Sequence, residues 1–192
     1  MNRVATKKTD NSHFAEKIKI RCLSLPAKKE INILDCFAGK KELWNKIKNL
    51  AGSKTINVVS IDKRPFETVL RGDNRKYLKG MNLDTFDVID LDAYGVPFDQ
   101  LECIFEKHYE GTVIVTFIQS IYGELPKKLL CKLGYTLKMI KKCPTLFNKD
   151  GLRKFEEYLA LNGVRKIRII TINRKNYLSF GIKRDKFNEF NT

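Results

Sequence analysis

The 192 residues and 43% hydrophobic content suffice for one ordinary domain with its own core, and leave no room for a second complete one. The cysteines, Cys22, Cys36, Cys103, Cys131 and Cys143, are odd in number, widely spread and without CxxC spacing, so they read as reduced, mostly buried thiols; with His13 and His108 the only histidines, a histidine-built zinc site or a Ser-His-Asp triad lacks its parts. A formal charge of +15 and a pI near 9.6 on 22.3 kDa attract polyanions, which makes nucleic acid the expected macromolecular partner.

Residues 1–29 are polar and basic and read as an arm or lid outside the core; within them Ser12 would cap a short helix over 12–21, with Phe14, Ile18 and Cys22 at helical spacing. Residues 30–192 then read as a single domain. A strand at 31–35 leads to a helix at 40–50 that carries Leu43, Trp44, Ile47 and Leu50 on one side and stops at Gly52. A second strand spans 56–61, and after Pro65 a brief third strand at 69–70 precedes helical turns at 74–79. The fourth strand, 86–91, is followed by a helix over 98–109 with Leu101, Ile104, Phe105 and His108 facing inward, and by a fifth strand at 112–117.

Such β/α alternation predicts a parallel sheet covered on both faces. Beyond it come helices at 125–132 and 151–161, then two alternating runs, 166–172 and 177–182, whose close spacing predicts a terminal β-hairpin. Trp44, Tyr177 and Phe180 read as core. Lysine and arginine clusters at 127–128, 138–142, 153–154, 165–168 and 183–186 lie mainly in the second half, and each taken alone is a solvated face. No apolar run approaches the roughly 20 residues of a membrane span, and the basic N-terminus lacks a signal-peptide core, so no membrane association and a cytoplasmic location are expected.

In an open α/β sheet, ligands gather at the carboxyl ends of the strands. At the first of these, INILDCFAG supplies Asp35, Phe37 and Gly39: the glycine lets backbone approach a ligand, and the helix start beyond it offers unpaired N–H groups. Lys40, Lys41 and Glu42 follow, so the GxGxxG fingerprint of a dinucleotide site fails. Asp62 ends the second strand roughly 20 residues beyond the glycine turn, where an acid takes both hydroxyls of a ribose, or caps the turn before Pro65. Asp73 and Asn74, in RGDNRKYL, sit where a polar side chain bonds an adenine amino group or caps a helix.

The densest segment is 86–97, FDVIDLDAYGVP. Strand alternation puts Asp90 and Asp92 on one side, and like charges so close raise one of the two pKa values. A carboxylate at Asp92 can accept the hydrogens of an exocyclic amine while the Tyr94 ring stacks on a base, a contact worth about 1–3 kcal/mol. An Asx turn closed by Gly95 is the structural alternative.

FDVIDLDAYGVPFDQLE resembles the motif of the tRNA guanine N2-methyltransferase family, D-x-D-P-[FY]-G-[ST]-P followed by a helix. GTVIVTFIQSIYG is similar to that family's next strand, V-T-x-T-D-x-x-x-L-x-G, with Thr116 at the first threonine, Gln119 where the family has Asp, and Gly123 near the final glycine. More broadly, DCFAG, VVSID and GDN resemble the first three motifs of class I S-adenosylmethionine-dependent methyltransferases, and the resemblance covers roughly residues 31–123. Ala93 replaces the family's proline, and Lys40 and Lys41 stand where the first motif has its second glycine.

The resemblance implies a Rossmann-like α/β fold: a mostly parallel seven-stranded sheet with a C-terminal antiparallel hairpin. It implies S-adenosylmethionine as cofactor, with Asp35, Phe37 and Gly39 at its methionine end, Asp62 at the ribose, Asp73 and Asn74 at the adenine, and Asp90 among the cofactor contacts. Asp92 and Tyr94 become the catalytic pair facing an acceptor amine, with no metal required. The expected activity is N-methylation of a nucleic acid base, RNA in preference to DNA, with a homodimer or partner subunit helping target recognition. The alternatives are a catalytically silent nucleic-acid-binding protein of this fold, and a methyltransferase for a protein or small molecule.

Overall fold

The structure, a computed structural model, describes residues 13–66, 69–119, 124–173 and 175–183. Its strands are β1 (Glu30–Asp35), β2 (Thr55–Asp62), β3 (Leu70–Arg71), β4 (Val88–Leu91), β5 (Gly111–Ile118), β6 (Ile167–Ile172) and β7 (Lys175–Ile182). They form one seven-stranded sheet in the order β3-β2-β1-β4-β5-β7-β6, parallel from β3 to β5 and antiparallel where β7 meets β5 and β6. The chain therefore has the Rossmann-like fold of class I S-adenosylmethionine-dependent methyltransferases, with the expected terminal hairpin in place.

Helices cover both faces, and the alternation of side chains along each strand decides which residues meet which layer. On one face Ile31, Ile33, Val88, Ile114 and Tyr177 pack beneath α1 (Phe14–Ser24) and α2 (Glu42–Leu50). On the other, Leu34, Ile89, Leu91 and Phe117 meet α4 (Phe98–Glu106), α5 (Lys127–Lys132) and α8 (Gly151–Leu161). Between β3 and β4 lie α3 (Asn74–Gly80) and a 3-10 turn, Leu83–Thr85. Two short helices, α6 (Leu137–Lys142) and α7 (Pro144–Asn148), join α5 to α8. Among the described residues no helix is long and apolar enough to cross a membrane.

Three sequence expectations are corrected. Residues 13–24 are not an arm outside the core: Ile20 is fully buried against Ile31, Ile33 and Trp44, a burial worth about 1.5–3 kcal/mol, so α1 is a layer of the domain. Residues 1–12, including the expected cap Ser12, lie outside the described residues. His108 does not face inward: α4 ends at Glu106, His108 takes a left-handed backbone (φ 51) on the surface, and the buried place goes to Tyr109. The thiols are free but not mostly buried, since Cys22, Cys131 and Cys143 are exposed and only Cys36 and Cys103 are inside.

Candidate active site

The parallel register brings the acids named above to one edge. Asp35 is level with Ser60 on β2 and with Asp90 on β4, Asp62 extends β2 beyond Ser60, and Asp92 follows the end of β4. With strands about 4.8 Å apart, β2 and β4 stand roughly 10 Å from each other across β1. All four acids thus lie along one carboxyl edge of the sheet.

Local hydrogen bonds tie the first two motifs together. Gly39, at φ +51, donates its N–H to Asp62 Oδ2 at 2.9 Å, and Ala38 donates to the carbonyl of Ile61 at 3.1 Å. Asp62 Oδ1 accepts from the Arg64 backbone N–H at 2.8 Å and from Arg64 Nε at 3.4 Å. Asp62 therefore both caps its own turn and braces the glycine turn of the neighbouring strand. The Arg64 guanidinium lies beside Gly39 and 5.0 Å over the Phe66 ring. Phe37 is half-buried beside this turn and donates its N–H to Asp35 Oδ1 at 3.3 Å.

The second acid of the edge is closed off. Asp90 accepts Arg21 Nε on Oδ2 and Arg21 Nη2 on Oδ1, both at 2.7 Å, and Trp44 Nε1 donates to Oδ2 at 2.8 Å. The Asp90 and Arg21 side chains are 1% and 0% accessible. The expectation that Asp90 contacts a cofactor gives way to a structural role, because a buried carboxylate is stable only with such donors and has no surface left to offer. Burial pushes its carboxyl up, opposed by the Arg21 charge, while Arg21 stays above its ordinary value because Asp90 and Asp92 outweigh its own burial.

Asp92 shares the cluster but keeps an opening. Its Oδ2 accepts from Lys17 Nζ at 2.8 Å, its Oδ1 from the Thr116 hydroxyl at 2.6 Å, and Arg21 Nη2 lies 3.7 Å away, with the side chain 17% accessible. Although burial opposes ionisation, Arg21 and Lys17 hold this carboxyl below its ordinary value. Asp35, beside Asp90 and 5% exposed, is driven the other way: burial and the Asp90 charge raise it well above the carboxylate range, against Arg21 and the Phe37 N–H. Two acids expected to crowd one another are thus three, with Asp35 and Asp90 shifted up by burial and Asp92 shifted down by the α1 cations Arg21 and Lys17.

Tyr94, two residues on, is 76% exposed on the loop after β4. Gly95 next to it is at φ +119, and its carbonyl accepts the Ile118 N–H at 3.1 Å, fixing the loop to the end of β5. Asp73 caps α3, accepting the Arg75 N–H at 3.0 Å, and Arg75's guanidinium bonds pull its carboxyl down to about 2. Asn74 departs from expectation: it is 4% exposed, donates Nδ2 to the Cys36 carbonyl at 2.8 Å and accepts from Gln100 Nε2 at 2.9 Å. Its amide is spent linking the exit of β1 to α4. Gly123 lies outside the described residues, and Gln119 donates to the Asn148 carbonyl at 2.6 Å.

Arg21, Lys17 and Trp44 are the site residues that sequence reasoning missed. The signal was present in part, since Lys17 and Arg21 are spaced i, i+4 and so share a face of the first helix.

No family model matches the chain. Among solved structures, a protein described as a class I S-adenosylmethionine-dependent methyltransferase from Listeria monocytogenes aligns with a TM-score of 0.54 at 14% identity, over 97% of this chain and 64% of that one. Precorrin-6Y C5,15-methyltransferase from Geobacter metallireducens aligns with a TM-score of 0.51 at 12% identity, over 88% of each chain. A protein described as an S-adenosylmethionine-dependent methyltransferase from Methanococcus maripaludis gives 0.51 at 13%, over 92% of this chain and 90% of that one. These likenesses establish the fold.

Proposed function

We propose that the chain is an S-adenosylmethionine-dependent N-methyltransferase acting on an exocyclic amine of a nucleic acid base, RNA in preference to DNA, in a cytoplasmic setting. The observation that carries the proposal is the pairing, on one sheet edge, of the Asp62-braced glycine turn with the Asp92–Tyr94 loop. The likeness of that loop to the tRNA guanine N2-methyltransferase motif and the charge of +15 point the same way.

The donor set fits the cofactor in chemistry. Asp62 retains acceptor capacity for ribose hydroxyls once Arg64, 52% accessible at its side chain, swings aside. Asp35 is an acid at the glycine turn whose ionised form would pair with an ammonium group at the methionine end, and Asp73 presents a carboxylate on the same edge for an adenine amine. When bound, the cofactor supplies an electrophilic methyl on a sulfonium.

The chain's own part is to hold the acceptor. Lys17 Nζ marks a place where Asp92 already accepts an N–H donor: an acceptor N–H in that position would donate to Oδ2, keep its lone pair for attack, and pass its proton to the Asp92 carboxylate and from there to solvent. Tyr94 offers a ring on which the base stacks, and Thr116 fixes the rotamer of Asp92. Orientation and electrostatics are then the main contributions to rate.

The test is calorimetry with S-adenosylmethionine, followed by methyl transfer from labelled cofactor to total RNA and to DNA. Asp92→Ala is expected to abolish transfer and leave cofactor affinity nearly intact; loss of cofactor binding in that variant refutes the assignment of Asp92 to the acceptor. The second reading, a silent nucleic-acid-binding protein of the same fold, is favoured by the internal partners at Asp62 and Asp92, and absence of heat at millimolar cofactor selects it. Transfer to neither nucleic acid, with cofactor bound, points to a protein or small-molecule acceptor.

A further inference from the structure

Residues 125–149 contain seven lysines and no acid, although the chain as a whole carries 37 basic and 22 acidic residues. In the fold these residues are the α5–α6–α7 segment between β5 and α8. Lys132 is paired with Glu102, whereas Lys127, Lys128, Lys138, Lys141 and Lys142 are all exposed and, among the described residues, none of the five has an ion-pair partner. Exposed apolar side chains lie among them, Leu137 at 62%, Met139 at 46% and Leu146 at 60%.

The segment is held in one shape. Ile140 and Phe147 are buried, the Tyr135 and Phe147 rings meet at 4.8 Å, and Asn148 Oδ1 accepts the Leu125 N–H at 2.8 Å. It is also fastened to the candidate site: Gln119 donates to the Asn148 carbonyl, and its neighbour Ile118 donates to the carbonyl of Gly95, the residue after Tyr94. A cationic surface of fixed shape thus hangs from the same strand end as the exposed ring.

We propose that α5–α7 form the surface that grips the phosphodiester backbone of the nucleic acid, holding a strand so that one base reaches Tyr94. The inference rests on the nucleic acid reading given above and assigns its affinity to these five lysines. The chemistry is charge complementarity: ammonium groups displace the counterions condensed on phosphates, a contribution that is independent of sequence and steeply dependent on salt. The exposed apolar side chains among the lysines, Leu137, Met139 and Leu146, suit contact with sugar and base faces.

The experiment is fluorescence anisotropy with a labelled 20-nucleotide single-stranded RNA, the same sequence as DNA, and vesicles containing anionic lipid. The 192-residue protein is compared with a variant carrying Gln at Lys127, Lys128, Lys138, Lys141 and Lys142. The variant is expected to bind RNA about a hundred-fold more weakly at ~100 mM salt, with the slope of log K against log salt reduced by about 2 to 3.5. A control carrying Gln at Lys29, Lys46, Lys48, Lys79 and Lys166, exposed lysines elsewhere, removes the same charge and is expected to lose less than about ten-fold. Arginine at the five α5–α7 positions should restore binding.

Equal losses in the α5–α7 variant and the control overturn the proposal, as does an affinity of these lysines for vesicles with none for RNA or DNA. Calorimetry with S-adenosylmethionine separates the two hypotheses: a protein that grips RNA through α5–α7 yet takes no cofactor upholds this surface and refutes the catalytic reading.

Discussion

Arg21 and Asp90, 69 positions apart in the chain, meet in a two-point ion pair that is sealed from water. The pair joins the first helix to the middle strand, and Trp44 from the second helix closes the group with its indole N–H. Arg21→Met should destabilise the fold by about 3–5 kcal/mol, because it strands a buried carboxylate. Asp90→Asn introduced alongside it should recover part of that loss, since the charge is then gone. Urea denaturation of the two single variants and the double variant measures both, and a cost below about 1 kcal/mol for Arg21→Met would disprove the structural role.

Asp35 predicts a dependence on pH. Its folded pKa is raised well above the ordinary 3.8 by burial and by Asp90, so the folded state binds the proton more tightly than the unfolded chain. The stability this contributes is full below the unfolded value and is lost as pH rises through the folded one. Asp35→Asn keeps an acceptor for the Phe37 N–H and removes the titration. The melting temperature of the variant relative to the parent should therefore climb as pH is raised above the ordinary carboxylate value. Parallel profiles would show that Asp35 is ionised throughout.

Lys17 and Arg21 hold Asp92 in its charged form, so Lys17→Met should raise the Asp92 pKa. Under the proposed activity the acid limb of kcat/KM then moves to higher pH, while the acceptor, no longer competing with an internal ammonium, binds with a lower KM. A pH–rate profile with an unmoved acid limb would remove Asp92 from the reaction.

The brace between Asp62 and Gly39 gives a fourth outcome. Asp62→Ala takes away the acceptor of the Gly39 N–H, whose loss costs on the order of 1–3 kcal/mol where the group is buried. Both stability and affinity for S-adenosylmethionine should fall, the latter by ten-fold or more on the same scale. Asp62→Asn, which retains an acceptor oxygen for that N–H, should recover the stability more fully than the affinity. Calorimetry and thermal melts on both variants decide it, and unchanged affinity in Asp62→Ala would separate the acid from the cofactor.

The sheet was legible because its signals are local. Apolar runs that end in Asp35, Asp62 and Asp90, separated by amphipathic helices, specify alternation and hence parallel strands. The roles of the acids were less so, since a strand end reveals which residues reach an edge but not what folds back over them. Asp90 looked like a ligand contact until a basic helix, itself read as an appendage, supplied its partners. Asn74 likewise looked available because its bond to the Cys36 carbonyl spans two strand exits. Helices α6 and α7 escaped notice for another reason: at six and five residues they are too short to show a period.

The ion pair under the first helix also sets an order of events in folding. Until the strand holding Asp90 has formed, Arg21 has no acid to receive it, and placing that guanidinium on an apolar sheet is prohibitive. The helix that carries Arg21 must therefore dock after the centre of the sheet exists. The helix that precedes the sheet in sequence thus follows its centre in docking.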